Sequence, residues 1–170
     1  GNNDANSVLG APRLYKARIE LENKQISNVQ LVDVKPLLPK GTSAAGIDPE
    51  SLRIIADSQR YIWSSEGDIK KGFEPGVYVG DLNQRPEAQE NKQNDNSALI
   101  LPKQFELTDT TGPYHNSVFE GLSLSMDEKG FWLAMEGPLK QDGEEPSSSH
   151  GAWVRLSYVN FKSKQITQQY

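Results

Sequence analysis

The sequence predicts an all-β chain, β-propeller-like, holding about two and a half four-stranded blades of a larger propeller. Three observations carry that expectation. Almost every patterned segment alternates apolar and polar side chains with period two, and none shows a long helical period. A hairpin pattern occurs twice: Glu50, Leu52, Asp57, Glu66 and Gly67 fall on Glu120, Leu122, Asp127, Glu136 and Gly137 under a shift of 70, without a gap. A third echo, Lys24-Gln25-Ile26 on Lys164-Gln165-Ile166, repeats at 140, twice that period. Units of four strands at a fixed period are the mark of propeller blades, which close in rings of roughly four to eight. A β-sandwich or a meander with two similar hairpins is the alternative.

In chain order, residues 1–13 form a polar lead. Leu14–Leu21 and Ile26–Val34 alternate as strands joined by Glu22-Asn23-Lys24-Gln25, and Pro36 and Pro39 end the second. These make an outer half-blade over 14–40. The first whole blade spans 46–105: the hairpin Glu50–Gly67, a strand Val77–Leu82, a solvated loop Asn83–Ser97 with no apolar side chain larger than Ala88, and a short strand Ala98–Leu101. The second spans 116–170. In it, Leu122 and Leu124 lie on one strand, Asp127-Glu128-Lys129-Gly130 makes the turn, and Phe131–Met135 returns. A polar loop Lys140–His150, a strand Trp153–Phe161 and a last strand Ile166–Tyr170 follow. Trp63, Trp132 and Trp153 are expected on strands as packing residues. Two and a half blades leave edges unpaired, so the remaining blades are expected from the parent chain or from another chain.

Composition narrows the function. At 170 residues the chain can bury a core of roughly 70% of its unfolded surface. A net charge of −5 with scattered basic residues argues against nucleic acid and anionic membranes as partners. No apolar run approaches the ~20 residues of a membrane span. The absence of cysteine removes disulfides, thiolate zinc sites and a cysteine nucleophile, and fits a periplasmic or surface protein of a bacterium. No GxSxG, HExxH or P-loop is present.

The chemistry is carried by carboxylates. Antiparallel pairing sets Glu50 beside Glu66 and Glu120 beside Glu136 at one end of each hairpin. Asp48, Asp68 and Asp142 are close in sequence. Taken singly, each is an ordinary solvated charge at a strand end. Gathered at one rim they repel unless a cation or shared protons neutralise them, and calcium, with six to eight oxygen ligands, suits that arrangement. Asn116 adds an amide oxygen. His115 stands close to Glu120 as acid or base, whereas His150 follows three serines in a polar loop. Arg53, Lys70 and Lys71 lie near the first hairpin to meet an anionic substrate.

The segments AGIDPES (Ala45–Ser51), SSEGD (Ser64–Asp68), Leu101-Pro102 with Phe105, Asn116 with FEGL (Phe119–Leu122) and AMEGPL-x-QDG (Ala134 to Gly143) resemble, in order, the phytase-like domain called "esterase-like activity of phytase". Family members carry Gly before the Phe-Glu of FEGL, where this chain has Val118. The resemblance implies a secreted or periplasmic β-propeller grouped with calcium-using phytases that act on phosphate esters. By motif it singles out Asp48, Glu50, Glu66, Asp68, Asn116, Glu120, Glu136 and Asp142. The expected function is a calcium-dependent phosphoester or ester hydrolase acting on a small anionic or ester substrate. Glu50, Glu66, Asp68, Asn116, Glu120 and Glu136 would be the metal ligands, and Glu120, His115 and Glu136 the catalytic groups. The alternative is a non-catalytic propeller that binds by its surface, with at most a structural calcium.

Overall fold

The computed structural model describes residues 12–39, 46–56, 59–83, 97–99 and 101–170. The Asp57–Asp127 echo, Ala45, and most of the polar lead and of the Asn83–Ser97 loop lie outside these residues. Among the described residues there is no α-helix, and the strands form three separate antiparallel sheets, none of which closes on itself. The all-β expectation therefore stands.

The first sheet is a two-stranded ribbon, β1 (Arg13–Glu22) with β2 (Gln25–Pro36). Its turn needs positive φ at both central residues, and Asn23 and Lys24 adopt φ of 51° and 65°. The second sheet is a four-stranded meander of β3 (Pro49–Ile54), β4 (Arg60–Ser65), β5 (Gly76–Asp81) and β6 (Ser97–Ala98). The third repeats that order with β7 (Phe119–Leu124), β8 (Gly130–Met135), β9 (Leu156–Asn160) and β10 (Ile166–Gln169). In the β7–β8 turn, Asp127 Oδ1 accepts from Ser125 Oγ at 2.7 Å and from the Lys129 N–H at 3.2 Å, and Glu128 takes the left-handed φ of 56°.

Strand alternation decides the packing. Strand β4 is buried on both faces from Tyr61 to Ser65. Ile62, with Val77 of β5 and Ile55, packs against Phe119, Leu122, Phe131, Leu133 and Val159 of the third sheet. On the opposite face Tyr61, Trp63 and Tyr78 pack with Leu37 and Ile47, Leu14 of the ribbon packs against them, and the Trp63 and Tyr78 rings stack at 4.6 Å. Each fully buried Phe contributes about 1.5–3 kcal/mol, so the two four-stranded sheets hold one another. Two serines bond across the junction: Ser64 Oγ donates to Phe119 O at 3.1 Å and Ser51 Oγ donates to Glu120 O. Strands β3 and β7 thus lie side by side.

Two expectations need correction. Trp153 lies before β9, not on a strand, and is 89% exposed, because its strand starts only at Leu156. The last strand of the second sheet is Ser97–Ala98, earlier than expected.

Gly130 opens β8 where a side chain has no room: an added Cβ would overlap the Val159 carbonyl oxygen and the Tyr158 ring. Gly130→Ala is expected to cost about 1–3 kcal/mol of stability in urea unfolding, because the obstacle is backbone of the neighbouring strand. A change within about 0.5 kcal/mol would show that β9 yields there.

Candidate metal centre

Each hairpin brings a glutamate to the start of its first strand and another just after its second. The register places Pro49 opposite Ser65 and Phe119 opposite Met135, and each first strand breaks register at once, between Pro49 and Leu52 and between Phe119 and Gly121. Glu50 and Glu120 therefore both sit in bulges, which re-aim side chains. Because β3 and β7 adjoin, the two ends merge. Oxygens of Asp48, Glu50 and Glu66 lie within 4.8 Å of one another, and so do oxygens of Glu66, Glu120 and Glu136. Glu66 belongs to both groups.

Glu66 is 4% exposed and held from two sides. Its Oε1 accepts from the Val118 N–H at 2.7 Å, and its own N–H donates to Asp48 O at 3.0 Å. The Glu136 N–H donates to Val118 O at 2.8 Å, which pins the second group to the same residue. Ser65 Oγ accepts from the N–H groups of Asp48 and Gly67 at 3.0 and 3.1 Å, shaping the turn that carries Glu66. These bracing serines and the partnership of Glu66 with the third sheet have one trace in the sequence: a polar Ser64-Ser65 pair between Trp63 and Glu66.

The electrostatics follow from crowding. Glu50 is exposed along its side chain, yet its carboxyl is pushed up to about 7, by burial first and then by the charges of Glu120, Asp48, Glu66 and Glu136. Burial also raises Glu66, opposed by the Val118 N–H and reinforced by Glu120 and Glu136. Glu120 is raised by burial and by Glu136 and Asp48.

Of the other expected residues, two carboxylates are paired with cationic side chains instead. Asp68 pairs with Lys71 Nζ at 2.6 Å, and that contact holds its carboxyl below the usual range despite burial. Asp142 is gripped by Arg155 through Nε and Nη2 at 2.5 and 2.7 Å, which lowers it likewise. Neither joins the carboxylate groups. His115, Asn116, Lys70 and Lys71 line, with Asp48 and Asp68, a cavity of about 200 Å³ beside them. Asn116 holds a left-handed φ of 59°. Arg53 is exposed on β3 and donates to its neighbour's carbonyl, Leu52 O, at 2.7 Å; it does not line that cavity. A larger groove of about 570 Å³ lies elsewhere, between Leu101–Lys103 and Ser163–Ile166, and no carboxylate lines it.

The residues fit a hard divalent cation. Calcium–oxygen bonds of about 2.4 Å let two ligand oxygens lie at most about 4.8 Å apart, and the oxygens within each group meet that limit. All the ligand atoms are oxygens, and neither group contains histidine.

Fold and site together define an all-β chain whose adjoining sheets gather carboxylates in a metal-compatible cluster. The chain belongs to the phytase-like family described as "esterase-like activity of phytase", whose family model matches residues 2–170. That membership suggests a hydrolase-type function. No curated protein and no solved structure matches the chain.

Proposed function

We propose that the chain is part of a calcium-dependent phosphoester or ester hydrolase, secreted or periplasmic, with its two four-stranded sheets as successive blades of a propeller. The observation that carries the reading is Glu66, buried and shared by two carboxylate groups whose mutual repulsion calls for a cation. The identical strand order of the two sheets supports the blades.

Calcium at the cluster would supply charge neutralisation, polarise the ester oxygen and lower the pKa of an attacking water. Asp48, Glu50, Glu66, Glu120 and Glu136 would hold it. Lys70 and Lys71 are exposed at the adjoining cavity and would meet the anionic group of the substrate, while Asp68 holds the Lys71 ammonium in place. His115 lines the same cavity and is the group to pass a proton to or from the leaving oxygen.

Hydrolysis of p-nitrophenyl phosphate and p-nitrophenyl acetate, with calcium and with chelator, tests this. Activity is expected only with calcium, lowered by Glu120→Gln and lowered roughly 100-fold or more by His115→Asn. If neither ester turns over while calcium still raises the melting temperature, the hydrolase reading falls and a binding module with a structural calcium replaces it.

A further inference from the structure

We infer that the edge of β1 away from β2 is a docking site for an antiparallel β-hairpin of the β7–β8 type, which would complete a third four-stranded sheet. This rests on the propeller reading and specifies where, and in what register, the next strands attach.

The ribbon is amphipathic but uncovered. Its register pairs Tyr15 with Val34, Ala17 with Leu31, Ile19 with Val29 and Leu21 with Ile26, all on one face. Lys16, Arg18 and Glu20 take the other, opposite Asp33, Gln30 and Asn28. Such alternation is expected of a strand with one face in a core, yet Ile19, Leu21 and Ile26 are 56, 67 and 64% exposed.

The third sheet contains the same ribbon in completed form. Under the shift of 140, Ile19 falls on Val159, Leu21 on Phe161 and Ile26 on Ile166. The turn agrees: Lys24 and Lys164 both hold left-handed φ, 65° and 56°. In the third sheet those three counterparts belong to the core or pack against it. Phe161 lies 5.5 Å from the Phe131 ring of β8. Strand β8 runs along the outer edge of the β9–β10 pair, with Phe131 opposite Val159, Trp132 opposite Tyr158 and Leu133 opposite Ser157. The matching edge of β1 has no strand beside it among the described residues.

The occupant is therefore a strand that sets an aromatic residue opposite Ile19, a second large residue opposite Arg18 and an aliphatic one opposite Ala17. Its own hairpin partner lies beyond it, as β7 lies beyond β8. Main-chain hydrogen bonds would give the affinity and the alternating side chains the register.

The test uses the chain's own hairpin as the probe. A copy of residues 116–151 is fused directly before Pro12, tethering it as β7–β8 is tethered to β9 and raising its effective concentration to the millimolar range. Compared with the unfused chain, the fusion is expected to stay monomeric and to slow hydrogen exchange about tenfold at alternate β1 amides. Its melting temperature should rise by about 4 °C or more, and Ile19→Lys in the fusion should remove both gains. Unchanged β1 exchange in the fusion overturns the inference. So does an unfused chain that already protects those amides by dimerising, because a second copy would then be the occupant. The calcium response of the unfused chain is measured alongside. Calcium binding with a bare β1 edge sinks this inference alone, and a protected edge without calcium binding sinks the hydrolase reading alone.

Discussion

Glu66→Gln is expected to abolish the calcium-dependent rise in melting temperature while leaving the metal-free chain folded and slightly more stable. The amide oxygen of Gln can still accept from the Val118 N–H, so that buried donor keeps its partner. The negative charge common to both carboxylate groups is lost, which relieves repulsion without a cation and removes a shared ligand with one. For the unaltered chain, calcium at a hundred times its dissociation constant adds about 2.7 kcal/mol, or roughly 5–10 °C at this size. Glu66→Ala should behave differently: the same loss of response, plus a cost of about 1–3 kcal/mol for stranding the Val118 N–H. Thermal scans with calcium and with chelator separate the two effects. A Glu66→Gln chain that keeps the full calcium shift would place the cation elsewhere.

Without metal, stability is expected to fall as pH rises from about 4.5 to about 7, and to be restored by calcium. Glu50 is the largest contributor, moved from 4.5 to about 7, with Glu66 and Glu120 shifted the same way. A carboxyl with a raised folded pKa keeps a proton that the unfolded chain has already released, so the folded state binds more protons across that window and loses stability as they leave. Asp68 and Asp142 act in the opposite sense: their folded values lie below 3.8, so their contribution is lost only as pH falls into that lower range. The two windows barely overlap, and the slope between about pH 5 and pH 7 reports the glutamates. Calcium competes with those protons and should flatten or invert the slope. Melting temperatures measured with chelator that climb steadily across that interval would contradict the crowding of these carboxyls.

Several of these features were legible before any coordinates. Period two in Phe131–Met135 and Ile26–Val34 encodes faces, because successive strand side chains point opposite ways. The hairpin pattern at Glu50–Gly67 and Glu120–Gly137 predicted two pairs of carboxylates, since antiparallel register follows from turn and strand length. Motif order alone was enough for the family resemblance. Tertiary structure decided which groups meet. Glu66 joins Glu120 and Glu136 as well as Asp48 and Glu50 because β3 packs beside β7, and the Val118 N–H then fixes the Glu66 carboxylate between them. Asp68 and Asp142 carry the same charge and lie as near in sequence, but Lys71 and Arg155 reach them first. Local pattern dictates which way a side chain points along its own strand; the partner it finds depends on how separate sheets stack, which no single segment encodes.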